Sequence, residues 1–286
     1  MRLIFAAMAL AVAFSVTTAA WATEARIRHL WTIDSGFFEP ESVAIDEERG
    51  VIYVSNVVGY GKNGKGYISR ISMSGRMIDE KWIEGLDAPT GMAVRGDKLY
   101  FADYDILKVV DLNTGEVSEG YAAPHARPCL NDVAIAGDGA VYVSASCIKT
   151  VYTLREGALV PLIEGRDALN FVNGLYAAQD MLLTGGWQIW IWNRETGEAL
   201  ANGPVTRQDN VRDIDGIAWD GEEFLFSMVG DERLWRLAAS GTATAISEES
   251  YNAVDFQYDH VTGLLVMPRI GKDGDHKVSA YRLTFE

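Results

Sequence analysis

The sequence predicts an all-β fold, a six-bladed β-propeller with an N-terminal strand closing the last blade, on three observations. The first is a recurring motif: an oxygen-bearing side chain, a small or polar residue, then an apolar strand. It reads Glu41-Ser42-Val43-Ala44-Ile45, Asn131-Asp132-Val133-Ala134-Ile135, Asn173-Gly174-Leu175-Tyr176-Ala177 and Asp215-Gly216-Ile217-Ala218-Trp219. Weaker copies stand at Thr90-Gly91-Met92-Ala93-Val94 and Asn252-Ala253-Val254-Asp255-Phe256. The leading residues are 49, 41, 42, 42 and 37 positions apart, and a period near forty built of short strands and Gly/Asp turns marks a propeller. The second is that no stretch beyond the N-terminal segment carries a sustained 3.6-residue apolar period. The third is arithmetic: the final repeat holds only three strands, and one spare strand precedes the first.

Each repeat has the same internal order. In the first, Ser42–Asp46 turns at Glu47-Glu48-Arg49-Gly50, and Val51–Ser55 returns. After the Gly-rich loop Gly59–Gly66 come Tyr67–Ser72 and Met77–Glu84. That loop lacks a Gly-Lys-Ser/Thr ending and a following helix, so it reads as a hairpin loop and not a phosphate cradle. The second repeat runs Gly91–Val94, Lys98–Ala102, Leu107–Leu112 and Glu116–Tyr121; the third, Asp132–Ala136, Val141–Ser144, Thr150–Leu154 and Leu159–Ile163. The fourth has Gly174–Ala178, Met181–Thr184, Gln188–Trp192 and an ill-defined strand around Ala199–Val205. The fifth has Gly216–Trp219, Phe224–Met228, Arg233–Leu237 and Ala243–Ile246. Alternation is plainest at Ile189 and Ile191 against Trp190 and Trp192, which must fill opposite faces of one blade. The sixth repeat has Ala253–Tyr258, Gly263–Met267 and Val278–Phe285, and Arg26–Ile33 supplies its outer strand. Joining the two termini closes the ring and leaves few unpaired edges.

The first residues read differently. Arg2 precedes an apolar run, Leu3 to Phe14, and then Ala20-Trp21-Ala22. This pattern predicts a signal peptide over residues 1–22 and a single propeller domain over 23–286. The run is shorter than the ~20 residues of a membrane span, which speaks against an uncleaved anchor, and no later stretch is apolar enough to cross a bilayer. The expected location is periplasmic or secreted. The formal charge of −15 repels phosphate backbones and anionic lipid, so nucleic acid is an unfavourable partner.

Two cysteines, Cys129 and Cys147, flank the third repeat's first hairpin. If that hairpin turns on Asp138, facing residues sum to 276, as 129 and 147 do. In an oxidising compartment a disulfide is favoured over two buried thiols.

The inner strands of a propeller share one polarity, so Glu41, Thr90, Asn131, Asn173, Asp215 and Asn252 are expected around one mouth of the central channel. Carboxylates gathered there repel one another unless a cation neutralises them. Carboxylate and amide oxygens are hard donors suited to Ca²⁺, whereas zinc would want His or Cys. Turn chemistry is the alternative at any single position, with Gly after Asn or Asp supplying a positive φ.

In these residues the chain resembles the gluconolactonase and luciferin-regenerating-enzyme superfamily of calcium-dependent six-bladed propellers, with the diisopropyl fluorophosphatases and paraoxonases nearby. The resemblance rests on the order Glu, Asn, Asn, Asp across the blades and on Asn131-Asp132, Asn173-Gly174-Leu175 and Asp215-Gly216. It implies that Glu41, Asn131, Asn173 and Asp215 hold a catalytic Ca²⁺. The chain departs from the family pattern at Phe38-Glu39-Pro40 and at Arg127-Pro128-Cys129-Leu130, which bears on the substrate more than on the metal. Around the mouth, Asn56, Asp103, Asp105, His125, Arg127, Trp187, Asp231, Arg269 and His276 are expected on loops. Asp103 and His125 join Asp215 as candidates for activating water, with direct attack by Asp215 through a covalent intermediate as the alternative; a solvated loop histidine is the plainer reading of His125. Trp187 is expected to wall the pocket.

The favoured function is an exported Ca²⁺-dependent hydrolase of a lactone or other small-molecule ester. The alternative is a non-catalytic exported propeller that binds a ligand or protein, with calcium structural.

Overall fold

The computed structural model describes residues 24–200, 213–229, 231–239, 241–247, 254–271 and 274–286. The expected signal segment and Asn252 lie outside the described residues. Strand β1 (Ala25–Ile33) comes first, and the blades follow in chain order. Blade one is β2 (Pro40–Asp46), β3 (Val51–Asn56), β4 (Gly66–Ser72) and β5 (Met77–Leu86). Blade two is β6 (Pro89–Arg95), β7 (Lys98–Asp103), β8 (Ile106–Asp111) and β9 (Glu116–Ala122). Blade three is β10 (Leu130–Ile135), β11 (Val141–Ala145), β12 (Thr150–Arg155) and β13 (Ala158–Glu164). Blade four shows β14 (Leu175–Ala178), β15 (Met181–Thr184) and β16 (Trp190–Asn193), with one further bridge between Trp192 and Ala199. The fourth strand expected there runs on past Leu200, beyond the described residues. Blade five is β17 (Ile214–Trp219), β18 (Phe224–Met228), β19 (Asp231–Leu237) and β20 (Ala243–Ala245). Blade six is β21 (Gln257–Asp259), β22 (Leu264–Arg269) and β23 (Lys277–Phe285), completed by β1.

The inner strands touch in a closed circle: β2 to β6, β10, β14, β17, β21 and back to β2. The N-terminal strand pairs antiparallel with β23 from Ala25 opposite Phe285 to Ile33 opposite Val278. It is also fixed to the first blade, because the Trp31 indole donates to Met73 O at 3.0 Å. A Cβ on Gly75 would sit 2.5 Å from the Trp31 ring, so the turn needs glycine for this contact as well as for its φ of 78°.

The core is six wedges between blades instead of one central mass. Period-two alternation sends Val43 and Ile45 to the wedge shared with blade six and Ala44 to the wedge shared with blade two. In β16 and the residue before it, Trp190 and Trp192 pack toward blade three while Ile189 and Ile191 pack toward blade five. A blade is buried on both faces near the axis, as in β3 and β11, whereas outer strands such as β5 and β9 are largely exposed and polar. Arginines stitch the hairpins at the far end: Arg49 to Asp46 and Asp97, Arg95 to the carbonyls of Ala136 and Gly137, Arg194 to Asp138.

Candidate functional site

The inner strands of blades one, two, three and five share an irregularity that period counting did not reveal. Pairing slips by one residue between Pro40 and Val43, Pro89 and Met92, Leu130 and Val133, and Ile214 and Ile217. A bulge bends its strand and re-aims the side chains within it. Each of these bulges contains the motif's first two residues, Glu41-Ser42, Thr90-Gly91, Asn131-Asp132 and Asp215-Gly216.

Two rings of residues result. The first holds Glu41, Thr90, Asn131, Asn173 and Asp215; the second holds Ser42, Gly91, Asp132, Gly174 and Gly216. Blade six corrects the expectation from sequence. Asp259 faces Leu264 across its hairpin as Asp46 faces Val51 in blade one. Counting back from these aspartates puts Val254 in the first ring and Asp255 in the second, two positions past the register that led with Asn252.

The glycines of the second ring are not there for positive φ, as turn chemistry would have it. A Cβ on Gly174 would lie 1.5 Å from Asp215 O, one on Gly91 2.3 Å from Asp132 Oδ1, and one on Gly216 2.5 Å from the Phe256 ring. Each glycine admits the inner strand of the next blade, and no larger residue fits. Where the ring carries side chains, they are spent on neighbours. Asp132 accepts from Leu175 N of blade four at 2.6 Å and from Val133 N at 2.6 Å. Ser42 Oγ donates to Asp255 Oδ2 at 2.5 Å, joining blade one to blade six.

The first ring is different. Glu41 Oε2, Asn173 Oδ1 and Asp215 Oδ1 are buried and accept no hydrogen bond from the protein. Asn131 Nδ2 donates to Ser146 Oγ at 3.1 Å, which turns its amide oxygen away from Ser146. Thr90 alone is committed elsewhere, donating to Asn131 O at 2.7 Å. A cavity of about 310 Å³ at the mouth is lined by Glu41, Thr90, Asn131, Tyr60 and Ile270. Tyr60 is held over it because Glu39 Oε2 accepts from Gly59 N at 2.6 Å, pinning the Gly-rich loop. A second cavity of about 340 Å³ runs along the inner strands beyond the rings, past Asp132, Asp255, Tyr176 and His260.

Four carboxyls therefore share one poorly solvated channel. Burial, then the charges of Asp215, Asp255 and Asp132, pushes Glu41 well above the usual carboxylate range. Asp215 is pushed up to about 8 by burial, then by Asp132 and Asp213. Asp255 is raised by burial and by Asp132 and Asp215, with Ser42 opposing. Asp132 rises only to about 6, because the N–H groups of Leu175 and Val133 offset its burial.

Among the described residues no three His, Cys, Asp or Glu side chains group as a metal centre. A cation here would have to rest on two carboxylates together with asparagine oxygens. The donor set fits such an ion in type, being all oxygen, and three of its four residues present a buried oxygen with no protein partner.

Several of the remaining loop candidates are engaged elsewhere, although Asp105 Oδ1, Arg269 Nε and His276 Nδ1 are also buried without a hydrogen-bond partner. Asp103 is buried; its Oδ1 accepts from Asp87 N and Ala88 N, both at 2.8 Å, and its Oδ2 lies 2.6 Å from Lys108 Nζ. His125 is turned to the outer half of blade three, with Nδ1 2.7 Å from Tyr152 Oη and Nε2 3.6 Å from Glu164. Asn56 is fully buried and bridges Phe38 N, Val54 O and Ser69 Oγ. Asp105 pairs with Lys62 at 2.5 Å, and Arg269 sits 3.6 Å from Asp275. Trp187 stands half exposed at the mouth end of β15, stacked on Phe171.

Cys129 and Cys147 are joined in a disulfide with Cα atoms 5.4 Å apart. Neither lies in a paired strand: Cys129 has a φ of 52° just before β10, and Cys147 sits in a single helical turn after β11. Backbone bonds from Ser146 N to Cys129 O and from Cys147 N to Pro128 O brace the link. The disulfide thus holds in place Ser146, the residue that orients Asn131.

No protein-family model and no curated protein matches the chain. Its fold does match solved structures. A streptogramin B lyase superposes with a TM-score of 0.64 at 12% identity, covering 93% of this chain and 99% of that one. A selenomethionine-substituted virginiamycin B lyase from Staphylococcus aureus gives 0.63 at 14%, covering 91% and 100%. A catalytically inactive variant of that lyase with quinupristin gives 0.61 at 14%, covering 91% and 100%. Likeness at this identity is a likeness of fold: the chain is a six-bladed β-propeller sharing its architecture with these lyases.

Proposed function

We propose that the chain is an exported Ca²⁺-dependent hydrolase of a lactone or other small-molecule ester. The observation that carries this is the set of buried first-ring oxygens, Glu41 Oε2, Asn173 Oδ1 and Asp215 Oδ1, that no protein group satisfies. Buried polar atoms are nearly always paired, so three at the same register of three blades point to an occupant. Glu41, Asn131, Asn173 and Asp215 would hold it. A bound hard cation supplies charge that polarises an ester carbonyl and offsets the oxyanion.

The chain's own residues do the rest. Asp215 is the carboxylate to handle the proton, since Asp103 and His125 are engaged elsewhere. Beside a positive charge its carboxyl returns to the ionised form at neutral pH. It takes a proton from water as the water oxygen bonds to the carbonyl carbon, and returns it to the alkoxide when the ester C–O bond breaks. The disulfide suits an exported protein, and among the described residues no helix is long and apolar enough to cross a membrane.

The test is a panel of lactones and aryl esters assayed with Ca²⁺ and with EDTA. Turnover that needs the metal is the expected result. A protein that gains thermal stability from Ca²⁺ yet turns over nothing would instead be a binding propeller with a structural ion.

A further inference from the structure

Phe171 and Trp187 form an exposed stacked pair at the mouth of blade four. Their ring centroids lie 5.2 Å apart at an interplanar angle of 18°, and the residues are 57% and 47% exposed. Phe226 and Trp235, also near parallel at 19°, are buried. Tyr60 and Tyr104, across the mouth, are tilted by 59°.

Stability does not account for the exposed pair. Phe171 has a φ of 53°, a left-handed conformation that costs an aromatic residue of order 1–3 kcal/mol. In return its ring stays mostly in solvent. The surrounding backbone nonetheless enforces the arrangement. Trp187 N donates to Asn170 O at 3.3 Å, and Gly186 exchanges two bonds with Ile214 at 2.9 and 2.8 Å. A Cβ on Gly186 would meet Phe171 O at 2.6 Å, and one on Gly185 would meet Ile214 O at 2.4 Å. The pair is therefore anchored two residues from Asn173 on one side and, through Ile214, one residue from Asp215 on the other. Anchored this close along the chain to Asn173 and Asp215, the pair offers an exposed aromatic face on the same end of the propeller.

We propose that Phe171 and Trp187 are a stacking platform that selects substrates carrying a flat ring next to the ester, in place of a polyhydroxylated lactone. The inference rests on the ester-hydrolase reading of the same mouth. An extended π face prefers a planar partner over a puckered one of equal size, by roughly three- to tenfold for one stacked ring.

Two γ-butyrolactones, one bearing a phenyl and the other a cyclohexyl group at the ring carbon next to oxygen, isolate that preference. They share the reacting ester and nearly the same bulk. The wild type should favour the phenyl compound in kcat/KM by that factor. Trp187→Leu, which keeps apolar bulk but not planarity, should bring the ratio toward one, and Trp187→Phe should restore most of it. Phe171→Gly relieves the backbone strain, so it folds at least as well and serves as the second variant. Calorimetric binding of the corresponding phenyl and cyclohexyl lactams reads the platform without hydrolysis. Equal kcat/KM for both lactones, or a preference indifferent to Trp187→Leu, overturns the platform and leaves the hydrolase intact. Lactam binding that follows the predicted pattern while neither these lactones nor any ester of the panel is turned over keeps the platform and overturns the hydrolase.

Discussion

The two rings of the channel hold the same kind of side chain at adjacent positions, yet the protein treats them in opposite ways. In the second ring Asp132 is met by the N–H groups of Leu175 and Val133, and Asp255 by Ser42. In the first ring Glu41 and Asp215 each keep a buried oxygen that nothing in the protein satisfies. The second ring joins blades; the first keeps buried oxygens that no protein group meets. Burial alone does not identify a functional carboxylate. What separates a joint from a site is whether the fold itself satisfies the group.

The strongest way to break this contrast is Asp215→Asn, which keeps the shape and removes the charge. Turnover should drop by about 10²–10⁴-fold, the usual worth of a positioned base. The rise in melting temperature expected of the wild type with Ca²⁺, about 2.7 kcal/mol of stabilisation at a hundred times the dissociation constant, should largely vanish. With EDTA the variant should melt close to wild type near neutral pH, where burial already keeps the Asp215 carboxyl protonated. Unchanged calcium affinity and unchanged melting would refute the first-ring assignment.

Asp132→Ala should do the reverse. It leaves Leu175 N–H buried without an acceptor, at a cost of about 1–3 kcal/mol. Melting should fall by roughly 2–4 °C for each kcal/mol in a domain of this size, equally with Ca²⁺ and with EDTA. A variant that melts normally but ignores Ca²⁺ would mean the rings had been assigned the wrong way round.

Acidity sharpens the comparison without mutation. Asp215 is raised from its ordinary value to about 8 and Asp132 to about 6. The folded state thus retains protons that the unfolded chain releases above about pH 4. Stability is then greatest below the unfolded pKa and falls as pH rises through the folded ones. In EDTA the melting temperature should decline from pH 5 to pH 8. Saturating Ca²⁺ should flatten that slope, since it neutralises the carboxylates that carry it. Equal slopes with and without the ion would mean that no cation binds between Glu41 and Asp215.

Asn173→Ala should have the smallest effect. It removes one neutral oxygen from the ring, so Ca²⁺ affinity measured by titration calorimetry should fall several-fold, with little change of melting in EDTA. A loss as large as that of Asp215→Asn would mean that Asn173 does more than donate one oxygen.

The residues that lead the inner strands of blades one to five were legible in the sequence because they repeat at one register, near a forty-residue period. Closure by the N-terminal strand was legible too, from three strands in the last repeat and one to spare before the first. The sequence also named both cysteines, and the opposite faces for Trp192 and Ile189 follow from local alternation. Such readings need only neighbours a few positions apart. The bulges that re-aim Glu41, Asn131 and Asp215 could not be read this way, since a pairing slip exists only between two strands. The true register of blade six needed the hairpin of Asp259 and Leu264 laid beside that of Asp46 and Val51. The reason for Gly174 lies in the backbone of Asp215, forty-one residues on. The partnering that divides the rings depends on contacts such as Ser42 with Asp255, 213 residues apart. Periodicity places side chains at the mouth, but only closure of the ring decides which of them its neighbours satisfy.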